Sequence, residues 1–288
     1  MVPQCYALDV RLKPDATQMS ETLTSRKNAI VARYRAVAHG EVDGLLLLDG
    51  LHLVRDAIAA GVTIEHAAVD EGATERDEIR GLLKSLRSAG VDTVLATAAV
   101  MSTLSPVRSP SAIVAIARRP ELDLDELYKG AAPLVVIACD VQDPGNLGAI
   151  VRVAEAGGAT SVLAAGVSAD PFSWKALRGS MGSALRFPVD RIGDVGLAAA
   201  EARKRGCRIV ATVPRDGRSL FDVNLRVPIA LLIGGEGPGL SEALIASADE
   251  RITIPMQAPV ESLNAAVTAA LLVYEARRQR LDNEKRKT

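Results

Sequence analysis

Five short apolar runs in the second half of the chain set the tightest limit on its fold: LVVIAC (134–139), SVLAA (161–165), CRIVATV (207–213), IALLIG (229–234) and RITIP (251–255). Segments of helical length lie between and after them, near 147–157, 173–180, 194–205, 241–247 and 263–281. Apolar runs without alternation fit strands covered on both faces, and strand–helix alternation places such strands in a parallel sheet. The first half repeats the theme. Helices are expected over 25–40, 51–61 and 73–90, and strands over 44–50, 63–70, 91–97 and 111–117. Gly61 and Gly90 read as helix stops.

The stretch 118–133, RRPELDLDELYKGAAP, is charged, carries two prolines and breaks the periodicity. It reads as a boundary. The expected division is a flexible leader over 1–22, a smaller N-terminal α/β sandwich over 23–120, a linker over 121–133 and a second α/β domain over 134–288. A chain of 288 residues is long enough for both without disulfide or metal staples.

Composition excludes several classes. A net charge of −1 argues against a bulk polyelectrolyte binder, so contact with nucleic acid must come from local patches. Two such patches stand out, Arg26, Lys27, Arg33 and Arg35 on the first helix and Arg203, Lys204, Arg205 and Arg208 around 205. For either alone a solvated helix face is as good a reading as RNA contact. The chain has 3 Phe, 1 Trp and 4 Tyr, too few for an aromatic single-strand platform. Cys5, Cys139 and Cys207 form no C-x-x-C pair, and His39, His52 and His66 have no ligands at metal spacing, so no metal is expected. Scattered cysteines fit a reducing cytoplasm. No apolar run is long enough for a membrane span, and the N-terminus has no secretory h-region.

Three motifs carry chemistry. In VQDPGNLGAIVRVAEAGGA (141–159), Pro144 and Gly145 are expected to turn and Asn146 to cap a helix. Arg152 interrupts the apolar run of that helix, among Gly148, Ala149 and Ala156, small neighbours that leave room for a bulky group to reach it. A guanidinium among apolar groups needs an anion. That anion is either a ligand or a carboxylate such as Glu155. In LLIGGEGPGLSEAL (231–244) a buried strand enters a glycine turn that carries Glu236 between Gly235 and Gly237. Glycines there permit close backbone approach to a ligand. The spacing is neither G-x-G-x-x-G nor a Walker loop, which opposes a nucleotide-dependent enzyme. In RITIPMQAPVESLNAAVTAALLVYEARRQR (251–280) a loop leads to Ser262, Leu263 and Asn264, which open a long helix. Its stripe Leu263, Val267, Leu271 and Tyr274 is expected to pack, and Ser262 and Asn264 can serve as caps.

In this order the three motifs resemble the SpoU/TrmH branch of the SPOUT superfamily, knotted RNA ribose 2′-O-methyltransferases. The resemblance covers roughly 25–280, with the N-terminal part similar to that branch's RNA substrate-binding domain. It implies a parallel-sheet domain with a deep trefoil knot around S-adenosyl-L-methionine, held at Gly234, Ile254 and Leu263 largely through backbone groups. It also implies a homodimer with the catalytic pocket at the subunit interface, and a catalytic set of Asn146, Arg152, Glu236, Ser262 and Asn264. In the family Arg152 would activate the ribose hydroxyl. Arginine keeps its proton in proteins, so the expected role is a clamp that stabilises the forming alkoxide. Asn146 would belong to the substrate pocket, and Glu236 would orient Arg152 or accept a ribose hydrogen bond. The additional N-terminal domain favours ribosomal RNA over tRNA. A non-catalytic RNA-binding protein with the same fold is the alternative. Two positions depart from the family pattern. Gly235 stands where Asn or Ala is common, which is expected to loosen the turn, and Ala266 stands where a serine is common.

Overall fold

The computed structural model describes residues 22–237 and 239–285, with side chains described to Asp282. The expected leader therefore lies almost wholly outside the described residues. Within them the chain forms two sheets.

The first unit runs α1 (Ala29–Ala38), β1 (Leu45–Asp49), α2 (Leu51–Ala59), β2 (Ile64–Asp70), α3 (Asp77–Ser88), β3 (Asp92–Ala96), α4 (Ala98–Leu104) and β4 (Ile113–Arg118). Its sheet has the order β1-β4-β2-β3, with β4 antiparallel to both neighbours and β2 parallel to β3. The sequence reading missed α4. The seven-residue AAVMSTL is too short to show a helical period, and Val100, Met101 and Leu104 earn their place by burial against α1 and the sheet.

The second unit runs β5 (Leu134–Cys139), α5 (Pro144–Gly157), β6 (Ser161–Ala165), α6 (Trp174–Ser180), β7 (Val189–Ile192), α7 (Val195–Lys204), β8 (Arg208–Thr212), β9 (Arg218–Ser219), β10 (Ile229–Gly234), α8 (Glu242–Ser247), β11 (Glu250–Thr253) and α9 (Ala265–Lys285). Its seven strands are all parallel, in the order β7-β6-β5-β10-β8-β11-β9. The expected strands form within two residues of their predicted bounds. The edge strands β7 and β9 went unread because they are short and partly polar.

Strand geometry explains the continuous apolar runs. Alternate residues point to opposite faces, and both faces are covered. On β5, Leu134, Val136 and Ala138 join the core beneath α5 and α9, while Val135, Ile137 and Cys139 join the core beneath α7. Helix α9 is fastened at its far end. Arg280 donates to three carbonyls, Ala132 O at 2.7 Å, Leu225 O at 3.0 Å and Val227 O at 3.1 Å.

The two units share a continuous apolar core, in which Leu46, Leu53 and Ile64 join Leu134, Leu147 and Leu185. Trp174 of α6 packs on the far face of the first sheet's core. Arg119 pairs with Asp170 and lies 4.7 Å from the Phe172 ring centre. The segment expected to be a linker packs as well. It contains a 3-10 turn, Leu124–Tyr128, that buries Leu127 beneath the second sheet and accepts a 2.7 Å hydrogen bond from Ser161 at Leu127 O. Its charge pattern hid one apolar side that the sheet covers.

Candidate active site

The strand order places β10 between β5 and β8, although β6 to β9 intervene in the chain. Connections diverge at such a point, and the crevice beyond the carboxyl ends of the strands is where open α/β sheets bind ligands. The crevice here is bounded by the chain after β5, which leads into α5, and by the glycine turn after β10.

Helix α5 begins earlier than its sequence suggested. Asp143 is the N-cap, its Oδ1 accepting from the Asn146 N–H at 2.8 Å, and Pro144 is the first helical residue. Asn146 is therefore not the cap, and Pro144–Gly145 is no turn. The signal was present, since Asp followed by Pro is a cap followed by a residue suited to the first helical position. The shift frees the Asn146 side chain to reach across the crevice.

Three of the expected residues form one hydrogen-bonded row. The Asn264 Oδ1 accepts from the N–H groups of Ala266 at 2.9 Å and Val267 at 3.3 Å, capping α9. Its amide nitrogen must then face outward, and it donates to Asn146 Oδ1 at 2.9 Å. Asn146 is thereby fixed with its own NH2 group toward Glu236, and it donates to Glu236 Oε1. A helix cap thus dictates the orientation of both amides, because each has one accepting and one donating end. The outer Oε2 of Glu236 and the second N–H of Asn146 accept or donate nothing further among the described residues, and both are available to a ligand.

Beside this row lies a cavity of about 580 Å³, within the usual range for a small-molecule site. Gly234, Ile254 and Leu263, the expected cofactor positions, all line it, as do Glu236, Ser262 and Asn264. Sequence reading did not single out Thr212, Met256 and Thr268 in the lining: Thr212 lies outside the three motifs, and Met256 and Thr268 lie within the third with nothing to mark them. The walls are otherwise largely apolar. Glu236 is the one charged residue among the described lining residues, and no Lys or Arg is among them. A bed of this kind suits a flat heterocycle carrying a cation, and its one carboxylate opposes a phosphate.

Gly235 lies in the cavity wall for a reason opposite to the one expected. A Cβ there would sit 2.0 Å from Asp140 O and 2.6 Å from Asp140 C. The glycine lets the turn press against the end of β5 instead of loosening it.

Arg152 does not line this cavity. It is exposed on α5, six residues beyond Asn146, which is about 9 Å of helix rise. It has no ion pair or hydrogen bond among the described residues. Glu155, the carboxylate considered for it, is held bidentately by Arg186 at 2.7 and 2.9 Å. The small neighbour Gly148 is not open space either, since a Cβ there would lie 2.4 Å from Ala176 O of α6.

The basic patches resolve unequally. Around 205, Arg203 pairs with Asp249, Arg205 with Asp125 and Glu201, Lys204 with Glu201 and Arg208 with Glu250, so that patch is neutralised. In the N-terminal patch Arg26 and Lys27 precede α1 rather than standing on it, Arg26 donating to Ala99 O at 3.0 Å, while Arg33 on α1 pairs with Glu65. Among the described residues no group of three or more His, Cys, Asp or Glu is arranged to hold a metal, and no helix is long and apolar enough to cross a membrane.

Residues 133–274 match the SpoU rRNA Methylase family. An uncharacterized tRNA/rRNA methyltransferase of Synechocystis is 30% identical over 264 residues, 90% of this chain and 94% of the relative. A 23S rRNA (uridine(2479)-2′-O)-methyltransferase of Streptomyces viridochromogenes is 30% identical over 94% of this chain and 96% of the relative. The crystal structure of the SpoU methyltransferase AviRb of Streptomyces viridochromogenes with its cofactor AdoMet (S-adenosyl-methionine) is 29% identical, with a TM-score of 0.80 over 88% of this chain and 99% of that one. On these matches, which span most of its length, the chain is a member of the SpoU/TrmH-type RNA methyltransferases of the SPOUT superfamily.

Proposed function

We propose that the protein is an S-adenosyl-methionine-dependent ribose 2′-O-methyltransferase of structured RNA, with 23S ribosomal RNA as its substrate. The observation that carries this reading is the Glu236–Asn146–Asn264 row at the mouth of an apolar cavity with one carboxylate and no cation. The Streptomyces relative, aligned through the N-terminal unit as well as the catalytic one, is a 23S rRNA methyltransferase by name, which favours ribosomal RNA over tRNA. We divide the chain into an RNA substrate-binding domain over 23–120, a packed connector over 121–133 and the methyltransferase domain over 134–288. Insertion of β10 between β5 and β8, with α9 returning from β11 to pack on α5, supports the trefoil knot. The buried free thiols Cys139 and Cys207 fit the cytoplasm.

The cavity fits the cofactor on its own chemistry. Apolar side chains such as Ile233, Leu240, Ile254 and Leu263 accommodate a purine, the backbone beside Gly234, Ile254 and Leu263 supplies polar contacts, and the Glu236 carboxylate favours a cation. Bound there, S-adenosyl-methionine supplies a methyl group on a positively charged sulfur, already activated for displacement. Asn146 and Glu236 then hold the ribose through the free N–H and Oε2. Such orientation can be worth ~7–11 kcal/mol. Ser262 borders the same space. Arg152 steadies the alkoxide that forms as the 2′-hydroxyl gives its proton to water.

A second copy of the chain supplies that arginine. On α9 the stripe expected to be packed is open: Val267, Leu271 and Tyr274 are 47%, 42% and 51% exposed, while Ala265, Ala269, Leu272, Val273 and Ala276 fill the core. The helix is apolar on two sides, and sequence could not tell which side faces its own sheet. An exposed apolar stripe on the helix packed against α5 is a dimer surface. The double variant Leu271→Asp/Tyr274→Lys is expected to sediment as a monomer and to lose methyl transfer, where the parent is a dimer. A monomeric, fully active parent refutes the arrangement.

The reading as a whole is tested by incubating the full chain with labelled S-adenosyl-methionine and unmodified 23S rRNA, then mapping alkali-resistant positions. One resistant ribose is the expected result. Binding of the cofactor with no transfer to any RNA would leave only a binding protein.

A further inference from the structure

Most cations of the methyltransferase domain have a partner among the described residues. Those around 205 are paired, Arg186 holds Glu155, Arg278 holds Glu275, and Arg226 and Arg280 donate to carbonyls. Among the described side chains of this domain that have neither ion pair nor hydrogen bond, Arg191, Arg251 and Arg277 come one to an element. Arg152, Lys175 and Arg178 instead stand on two helices in backbone contact.

That contact is made by glycines. A Cβ on Gly148 of α5 would strike Ala176 O and Ser180 N of α6, and one on Gly179 would lie 3.0 Å from Gly145 O in the first turn of α5. The end of α6 is therefore held against the turn that carries Asn146. Ala176, Leu177 and Ser180 face inward. Lys175, Arg178 and Met181 follow at three-residue spacing on the outer side, and all three are exposed. Lys175 Nζ lies 5.5 Å from the ring centre of Trp174, whose other contacts are with the N-terminal domain's core. The ridge thus lies along the junction of the domains, on the helix whose Gly179 meets the first turn of the site helix.

The nearby carboxylates each face another partner. Asp143 caps α5, Glu155 and Asp56 face Arg186, Asp170 holds Arg119, and Glu236 holds Asn146. Lys175 and Arg178 are thus an exposed pair of cations with no ion pair among the described residues, open to an external anion.

Building on the proposed RNA substrate, we infer that Lys175 and Arg178 form a track for consecutive phosphates of the RNA, which leads the strand from the N-terminal domain to the methyl-transfer site. Met181, exposed at the end of the same ridge, gives a neighbouring sugar or base an apolar support. The track positions RNA and takes no part in binding the cofactor.

Phosphate contacts release counterions, so each one lost lowers the slope of log K against log salt by roughly 0.7–0.9. The test uses the full-length chain, an unmodified 23S rRNA transcript, and the variants Lys175→Ala/Arg178→Ala and, as a control, Arg251→Ala. The double variant is expected to bind the transcript about tenfold or more weakly near 0.1 M salt, with a slope smaller by ~1.5. Its calorimetric affinity for S-adenosyl-methionine is expected to match the parent, which also verifies folding. The control is expected to keep the parental slope. An unchanged slope in the double variant, or an equal fall in the control, overturns the track while the RNA reading stands. A parent that fails to bind RNA at all overturns that reading, and the track with it.

Discussion

Replacing Arg152 with alanine is expected to slow methyl transfer about a thousandfold and to leave the affinity for S-adenosyl-methionine unchanged. The size follows from electrostatics. A guanidinium ~4 Å from a developing alkoxide, at an effective dielectric of ~20, stabilises it by about 4 kcal/mol, or roughly three decades of rate. The separation of the two effects follows from position. Arg152 stands outside the cavity and carries no hydrogen bond or ion pair among the described residues, so its loss removes nothing from the cofactor site or the fold. Arg152→Lys keeps the charge without the planar fork and should recover only part of the rate. Single-turnover transfer of labelled methyl groups to unmodified 23S rRNA, with calorimetry on the same samples, measures both. Transfer at the parental rate by the alanine variant would remove Arg152 from the chemistry. A parallel loss of cofactor affinity would move its role into the binding site.

Much of this layout is legible in the chain, for identifiable reasons. Strands buried on both faces leave unbroken apolar runs, so β5, β6, β8 and β10 are readable one by one, whereas β11 shows only as polar–apolar alternation. The site residues are readable because their types are costly in their settings: a carboxylate between glycines, an arginine in an apolar helix, an Asn at a helix start. What sequence cannot supply is which neighbour a small residue is small for. Gly148 looked like room beside Arg152 and is the crossing point with α6. Nor does sequence distinguish two apolar sides of one helix, so the α9 stripe looked like core. Local chemistry was also read one step too late at α5, where Asp143 takes the capping role and Asn146 is released for the row with Asn264 and Glu236. For Gly148 and the α9 stripe the missing information is a contact between segments distant in sequence, whereas the α5 cap is local and its signal lay in the Asp-Pro pair.

Gly235→Ala is the second large effect expected, although it restores a residue that this family commonly carries at the position. The new methyl carbon would lie 2.0 Å from Asp140 O, and the end of β5 cannot yield to it. Asp140 sits at a φ of 57°, in the left-handed region, with its Oδ1 accepting from the Val167 N–H at 2.9 Å. Gly166 closes on the same carboxylate, since a Cβ there would be 2.2 Å from Oδ1. On the other side, the Gly235 N–H donates to Cys139 O at 2.7 Å and Gly234 is in register with Cys139. The glycine turn must therefore move, and it carries Glu236 away from Asn146 and opens the cavity wall. Overpacking of this kind costs about 1–3 kcal/mol, which lowers the melting temperature by roughly 2–4 °C per kcal/mol in a chain of this size. The same energy taken from the site weakens S-adenosyl-methionine binding by about tenfold to a hundredfold. Gly235→Asn has the same Cβ and should fail in the same way, whereas Gly81→Ala on α3, where a Cβ meets nothing within 4 Å, should leave both readouts unharmed. Thermal melts and calorimetry on the three variants decide the matter. If Gly235→Ala melts and binds like the parent, then the left-handed Asp140 is not what this chain exchanged for the family's side chain, and the turn is positioned by something other than its contact with β5.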